Sequence, residues 1–339
     1  MNVKYSVIGA GSWGTTLAKV LSENNPDNEI LIWDINQQNL NDIKKFRENK
    51  VYLPGVKLPE NLKPNEDISG MVSDSEIVLL VVPSHTMRET IKKIKSSLKF
   101  NKIKAIITAV KGLEKDSNKR MSEVILDELG MEYANKVIAL SGPSHAEEVS
   151  RRVPTAIVAA GQDLEAIKFV QDIFSLAYFR VYTSLDIIGV ELGGSIKNII
   201  AIAAGILDGL QLGDNPKAAL VTRGMKEIQR LGIRLGAKQE TFSGLSGIGD
   251  LIVTCFSKHS RNRFVGENIG KGKKLDDILK SMVQISEGVK TTAVVNQLAN
   301  QMKIEMPITK EVYEVLFKDK DPKIAIEALM TRKLKLEVE

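Results

Sequence analysis

Cysteine is almost absent. Cys255 is the only one in 339 residues, so no intrachain disulfide can form, and a reducing, cytoplasmic setting is expected. Histidine is nearly as scarce: His85, His145 and His259 lie far apart with no helical or ribbon spacing, which argues against a zinc site, and no metal is expected. Charge of one sign is nowhere concentrated. The 47 Lys and Arg residues are dispersed among 42 acids for a net charge of +5, and without a basic stripe a nucleic-acid partner is not expected. No long apolar run is uninterrupted either. The most apolar stretch, Ile187 to Leu212, contains Glu191, Lys197, Asn198 and Asp208, which suits a buried helix and not a membrane-embedded one. A secretory signal is also not expected, because a strand pattern begins almost at Met1. Internal repeats and low-complexity segments are missing, which sets solenoids aside.

What is present is ordinary for a globular chain: 43% hydrophobic and 26% charged residues, in a length that suits two cores better than one. The first half alternates short Val- and Ile-rich runs with helical patterns. Val3–Ile8, Ile30–Trp33, Ile77–Val82, Ala105–Val110 and Val137–Leu140 read as strands without polar alternation, as expected when both faces are covered. Helices are expected at Gly14–Leu21, Leu40–Phe46, Met87–Leu98 and Met121–Leu129, and the alternation implies a parallel sheet. Leu53–Pro64, with three prolines, reads as an irregular exposed loop. Ala156–Ala160 and Arg180–Thr183 flank a helix at Leu164–Phe174 and extend the sheet. Beyond Ser184 the pattern is helical: Ile187–Leu212, Lys217–Leu235, Asp276–Met282, Thr291–Met302, Thr309–Phe317 and Lys323–Leu334. Ser184 or Asp186 is the expected cap of the first. The expected architecture is an α/β Rossmann-type domain over residues 1–184 with a mostly parallel sheet, then an all-α domain over residues 185–339 that binds substrate and carries the chemistry.

The first strand runs into Gly9-Ala10-Gly11-Ser12-Trp13-Gly14 and then a helix. A G-x-G-x-x-G string alone is weak, but here it sits where the mechanism requires. Gly9 makes the tight turn, Gly11 lets the backbone approach a pyrophosphate, and Gly14 lets helix and sheet pack closely. Asp34 follows the second strand, twenty residues after Gly14, where a carboxylate accepts hydrogen bonds from adenosine ribose hydroxyls. Since a fixed carboxylate repels a 2′-phosphate, NAD is the expected cofactor and NADP the second candidate.

In the helical half, Lys197 lies in a helix that is apolar nearly all round. Desolvation of a buried lysine lowers its pKa toward the range of proton transfer, while a snorkelling lysine is the plain alternative. Asp250, four residues before Thr254, could cap a helix, and Ser260–Arg263 could be a basic surface turn.

Together with Gly9–Thr15, the segments Val82-Pro83-Ser84-His85, Lys111-Gly112-Leu113-Glu114, Ser141-Gly142-Pro143-Ser144, Gly193-Gly194-Ser195-Ile196-Lys197-Asn198, Gly247-Ile248-Gly249-Asp250-Leu251, Ser260-Arg261-Asn262-Arg263 and Met306-Pro307-Ile308-Thr309 resemble, in order and over nearly the whole chain, the soluble bacterial NAD(P)-dependent glycerol-3-phosphate dehydrogenases. The resemblance implies reversible reduction of dihydroxyacetone phosphate to sn-glycerol 3-phosphate for glycerophospholipid synthesis, in a homodimer. It implies Lys197 as general acid and base, with Lys111, Asp250, Asn198 and Thr254 around substrate and lysine. Cofactor contacts are implied at Gly9, Gly11, Ser12, Trp13, Gly14, Asp34, Pro83, Lys111, Ala146, Arg261, Ile285 and Glu287. The substrate falls to Lys111, Gly142, Ser144, Lys197 and Asp250, with Ser260, Arg261 and Asn262 clasping its phosphate, for which a guanidinium fork is suited.

Three positions depart from the resemblance. Ile35 stands where a basic or polar residue is usual, which weighs against NADP, His145 replaces an aromatic residue, and Lys290 replaces an arginine. Two rival readings remain: a β-hydroxyacid dehydrogenase, for which Arg261 would not decide substrate choice, and a non-catalytic NAD(H) sensor, which would bind cofactor without turnover.

Overall fold

The computed structural model describes residues 4–282, 284–334 and 336–337. Its sheet has eight strands: β1 (Tyr5–Ile8), β2 (Ile30–Trp33), β3 (Leu62–Pro64), β4 (Ile77–Leu80), β5 (Ala105–Thr108), β6 (Val137–Ser141), β7 (Thr155–Ala160) and β8 (Phe179–Ser184). Val3, read into the first strand, lies outside the described residues. The order is β3-β2-β1-β4-β5-β6-β7-β8, parallel except where β7 runs against β6. Every residue of β1, β4 and β5 is buried, because helices cover both faces of the sheet. One face packs Val7, Leu79 and Ile107 with Leu17 and Val170, and the other packs Ile8, Val78 and Ile106 with Ile91 and Val124. Unbroken apolar runs are therefore the correct pattern for these strands.

Successive crossovers leave β1 toward β2 and β3, then restart at β4 and proceed the other way. The order reverses between β1 and β4, and the crevice beyond the carboxyl ends of the strands at such a point is where ligands bind in open α/β sheets.

The expected exposed loop at Leu53–Pro64 is corrected. It ends in β3, and Leu53, Val56, Leu58 and Leu62 are all buried. As the edge strand, β3 pairs only with β2, and an edge tolerates the Pro64 that argued against a strand. Asp186, and not Ser184, accepts from a first-turn amide of the helix Ile187–Gly209, that of Gly189 at 2.9 Å. This is the one helix among the described residues long and apolar enough to cross a membrane, and 89% of its most apolar window is buried.

The chain forms two compact units. The first comprises Met1–Ser195 and Gly232–Asp250 and holds the sheet; the second comprises Ile196–Leu231 and Leu251–Glu339 and is helical. Within the second, helices Arg261–Gly270 and Ile187–Gly209 cross at backbone contact: a Cβ at Gly270 would stand 2.5 Å from the Ile206 carbonyl oxygen, and one at Gly266 would collide with that of Ile202.

Glu227, 2% exposed, accepts from the amides of Ile308 and Thr309 at 2.5 and 3.0 Å and from the Thr309 hydroxyl at 2.9 Å, capping the helix Pro307–Phe317. Burial pushes its carboxyl from 4.5 up to about 7, against the pull of those three donors. A carboxyl that holds its proton more tightly when folded adds stability that is fully present below about pH 4.5 and is lost as pH rises through about 7. Urea unfolding at pH 5 and pH 8 should therefore show a loss of up to about 3 kcal/mol from this group. Glu227→Gln should remove that share of the pH dependence, and an unchanged dependence in the variant would refute the assignment.

Candidate active site

In the first unit the glycine turn follows β1 directly. Gly9 has φ of +104°, where a side chain is strained, and a Cβ there would stand 2.6 Å from the Val81 carbonyl oxygen just beyond β4. A Cβ at Gly14 would collide with the Gly9 carbonyl oxygen, whereas one at Gly11 would meet nothing within 4 Å. The turn is thus closed toward the protein and open at Gly11. Gly11 caps the helix Ser12–Asn24 without a side-chain acceptor, and first-turn N–H groups have no intrahelical partner. Glycines packed on one side and open on the other, at a positive helix end, fit a pyrophosphate. Trp13 packs with Ala146, Leu53 and Val56 beside this helix. Asp34 is 8% exposed; its Oδ2 accepts from the Ala10 amide at 2.7 Å and its Oδ1 from the Asn36 amide at 2.8 Å. Each oxygen keeps a second lone pair for a ribose hydroxyl. Pro83 follows β4, and its carbonyl accepts from the Thr86 amide and hydroxyl, both at 2.9 Å.

The same unit joins Lys111 to Asp250. The lysine Nζ donates to Asp250 Oδ2 at 2.8 Å and to the Gly142 carbonyl oxygen at 2.9 Å. That carbonyl also accepts from the Ser144 hydroxyl at 2.9 Å. Asp250 is 1% exposed and opens the helix Asp250–Phe256, directly after a π-turn at Leu245–Gly249, an irregularity frequent at functional sites. Gly194 permits the approach: a Cβ there would collide with the Ser141 hydroxyl and stand 3.5 Å from Lys111 Cγ. The segment carrying Lys111 is anchored by Arg88, whose guanidinium grips Glu114 in bidentate fashion at 2.8 and 2.7 Å. That contact holds the Glu114 carboxyl below its usual range.

The second unit holds Lys197, 4% exposed, whose Nζ donates to Thr254 Oγ1 at 2.7 Å. The snorkelling alternative is set aside, since the ammonium end is buried against a side chain. Asn198 Oδ1 accepts from Asn262 Nδ2 at 2.9 Å, and Asn262 Oδ1 accepts from the Ser286 hydroxyl at 2.6 Å and the Gly288 amide at 2.9 Å. Asn262 therefore ties the segment after Lys197 to Ser286 and Gly288, on either side of Glu287. Ser260 is no plain surface residue. It is 4% exposed, and its hydroxyl accepts from the Arg263 amide at 3.2 Å as the cap of the helix Arg261–Gly270, an element the sequence pattern does not reveal. Arg261 is exposed and reaches the Ile285 carbonyl oxygen at 3.4 Å. Asp208 accepts from Arg263 at 2.6 Å and pairs with Lys217, which anchors the helix just behind Arg261.

A cavity of about 320 Å³ lies elsewhere in the first unit, lined by Leu40, Asn41 and Lys44 on one side and Asn65, Glu66 and Asp67 on the other. None of the expected site residues forms its walls.

Strand order, glycine turn and carboxylate together define a nucleotide-binding protein of the Rossmann class. A family model described as the NAD-dependent glycerol-3-phosphate dehydrogenase N-terminus matches residues 4–167, and one for the C-terminus of the same enzyme matches residues 186–327. The glycerol-3-phosphate dehydrogenase (NAD(P)+) of Chlorobium phaeobacteroides is 50% identical over 335 residues, covering 99% of each chain. That of Lysinibacillus sphaericus is 47% identical over 336 residues, covering 99% of this chain and 98% of its own. The crystal structure of glycerol-3-phosphate dehydrogenase from Coxiella burnetii superposes with a TM-score of 0.92 at 39% identity, over 98% of this chain and 99% of that one. The chain belongs to the NAD-dependent glycerol-3-phosphate dehydrogenase family, and its cofactor is NAD or NADP.

Proposed function

We propose that this protein reversibly reduces dihydroxyacetone phosphate to sn-glycerol 3-phosphate, with Lys197 as the general acid in that direction and the general base in reverse. The reaction is carried by likeness along the whole chain to relatives named for it. The role of Lys197 is carried by its burial and its 2.7 Å contact with Thr254, which holds the ammonium in one place. When bound, the reduced dinucleotide supplies a hydride to the carbonyl carbon. Lys197 donates its proton to the oxygen that becomes an alkoxide, and Thr254 and Asn198 keep the lysine and its helix in register. Lys111, fixed by Asp250 and the Gly142 carbonyl, polarises the carbonyl oxygen, and Gly142 and Ser144 line the same segment. Arg261, Asn262 and Ser260 hold the phosphate at the start of a helix, where an anion is stabilised by the dipole and a guanidinium by its fork.

Gly9 to Gly14, Asp34, Pro83, Ala146, Ile285 and Glu287 hold the dinucleotide, and Lys111 and Arg261 serve both ligands. Residues 1–184 are proposed as the dinucleotide-binding domain and residues 185–339 as the domain for substrate and chemistry. Asp34 is locked by two amides, and the next side chain, Ile35, is 79% exposed and carries no charge for a 2′-phosphate. NADH is accordingly the preferred reductant. Absorbance of the reduced cofactor, followed with dihydroxyacetone phosphate and with unphosphorylated hydroxy acids, tests the reading. Oxidation should require the phosphorylated substrate and run at least about tenfold more efficiently with NADH than with NADPH, as expected from one charge conflict of about 1.4 kcal/mol. Activity on hydroxy acids alone would favour the β-hydroxyacid dehydrogenase, and NADH binding without turnover the sensor.

The homodimer rests on family likeness, and a solution mass of only 37.4 kDa would reject it. The cytoplasmic setting rests on the single buried Cys255, and cell fractionation reads it directly. The product's use in glycerophospholipid synthesis is tested by lipid content after depletion of the protein.

A further inference from the structure

One carbonyl of the glycine turn is gripped from several directions. The Ala10 oxygen accepts from Asn39 Nδ2 at 2.9 Å, from Asn49 Nδ2 at 2.7 Å and from Thr15 Oγ1 at 3.2 Å. Asn49 Nδ2 also donates to Thr15 Oγ1 at 2.8 Å, and Asn49 Oδ1 accepts from the Tyr52 amide at 3.0 Å. On the preceding peptide, the Ala10 amide is held by Asp34 at 2.7 Å. Asn39, Asn49 and Thr15 are fully buried. Asparagine is mostly an exposed residue, and two of them buried on one oxygen call for a reason.

The reason lies in the planarity of the peptide. The Ala10 carbonyl and the Gly11 N–H belong to one trans peptide unit, so fixing the oxygen fixes the N–H to point the opposite way. Gly11 is the position where a Cβ would meet no protein atom within 4 Å. We propose that Asn39 and Asn49 are positioning residues of the dinucleotide site: by drawing the Ala10 oxygen into the protein they aim the Gly11 N–H at the pyrophosphate. Thr15 completes the grip, and the Ala10 amide, spent on Asp34, is not one of the phosphate donors. The inference rests on the dinucleotide reading of the turn.

The test is titration of NADH onto the purified protein, followed by calorimetry, with melting temperatures measured alongside. Asn49→Ala and Asn39→Ala should each weaken NADH roughly tenfold, the scale of one buried hydrogen bond lost at the binding surface. The KM for NADH should rise by a similar factor while kcat at saturating NADH moves much less. Asn61→Ala is the control for stability alone. Asn61 Nδ2 donates to the carbonyls of Ser22, Asn25 and Asn28 at 3.1, 3.1 and 2.9 Å, just ahead of β2 and β3 and at the opposite end of the strands from the turn. It should lower the melting temperature without weakening NADH. Unchanged NADH affinity in Asn49→Ala, or an equal loss in Asn61→Ala, overturns the proposal. If the asparagine variants do not fold, Thr15→Val against Thr15→Ser reads the same grip: weakened binding in the first with recovery in the second supports it, and equal affinities overturn it. Failure of the unaltered protein to bind NADH would instead overturn the dinucleotide reading itself.

Discussion

Replacing Lys197 with alanine will leave NADH binding intact and lower turnover by about 10²–10⁴-fold, the usual worth of one general acid. The side chain is 4% exposed and donates to Thr254 at 2.7 Å within the helical unit, a contact that does not involve the glycine turn. The variant loses the bond to Thr254 and gains a small void, which together cost a few kcal/mol at most. A melting temperature measured beside the rate separates that loss from the chemical one. Lys197→Arg sharpens the result. Arginine keeps the positive charge but does not release its proton near neutral pH. If the lysine acts as a proton donor, the arginine variant will be nearly as slow as the alanine one. If it acts only as a fixed charge beside a developing alkoxide, arginine will restore much of the rate, and the general-acid role falls.

The parts of the fold that were legible in the sequence are those where one physical demand dominates. β1, β4 and β5 are covered on both faces, so their composition has no choice but to be apolar throughout. The helices Met121–Leu129 and Leu164–Phe174 lie where their periodicity places them, each packing one face against the sheet. Where two demands compete, the pattern misleads. β3 is three residues long and ends in Pro64, which reads as a loop but is tolerable on an edge. The helix Arg261–Gly270 contains Gly266 and Gly270, which as local signals break helices. Here they are spent on backbone contact with Ile202 and Ile206, a tertiary gain invisible to any window of sequence.

The candidate site divides in the same way. Gly9, Gly11, Gly14 and Asp34 are legible because spacing along one strand, one turn and one helix encodes their geometry. The partners are not. Lys111 and Asp250 are 139 residues apart. Asn262, expected on a phosphate, also joins Asn198 to Ser286, and nothing in its own segment announces that. Asn39 and Asn49 belong to no motif in the sequence. Their burial around Ala10 was the missing signal.

Asp250→Asn tests the ion pair that joins two of those distant segments. Asp250 is 1% exposed and the Lys111 side chain 18%, so the pair is screened far less than a surface bridge and salt should leave it largely unchanged. Removing one charge of a buried pair strands the other, at a cost of about 3–5 kcal/mol when both are fully enclosed and somewhat less here, where Lys111 retains some contact with water. Turnover should fall by about 10²–10³-fold, because Lys111 Nζ loses the carboxylate that helps to fix its position and with it the alignment that a near-attack geometry requires. Stability and rate can be separated by a double variant. Lys111→Met with Asp250→Asn removes both charges, so most of the lost stability should return, as it does when a buried pair is replaced by neutral groups of similar size. Its rate should stay at or below that of either single variant, because no group is left to polarise the carbonyl. Recovery of the rate together with stability would mean that the pair only holds the fold, and Lys111 would leave the list of residues that act on the substrate.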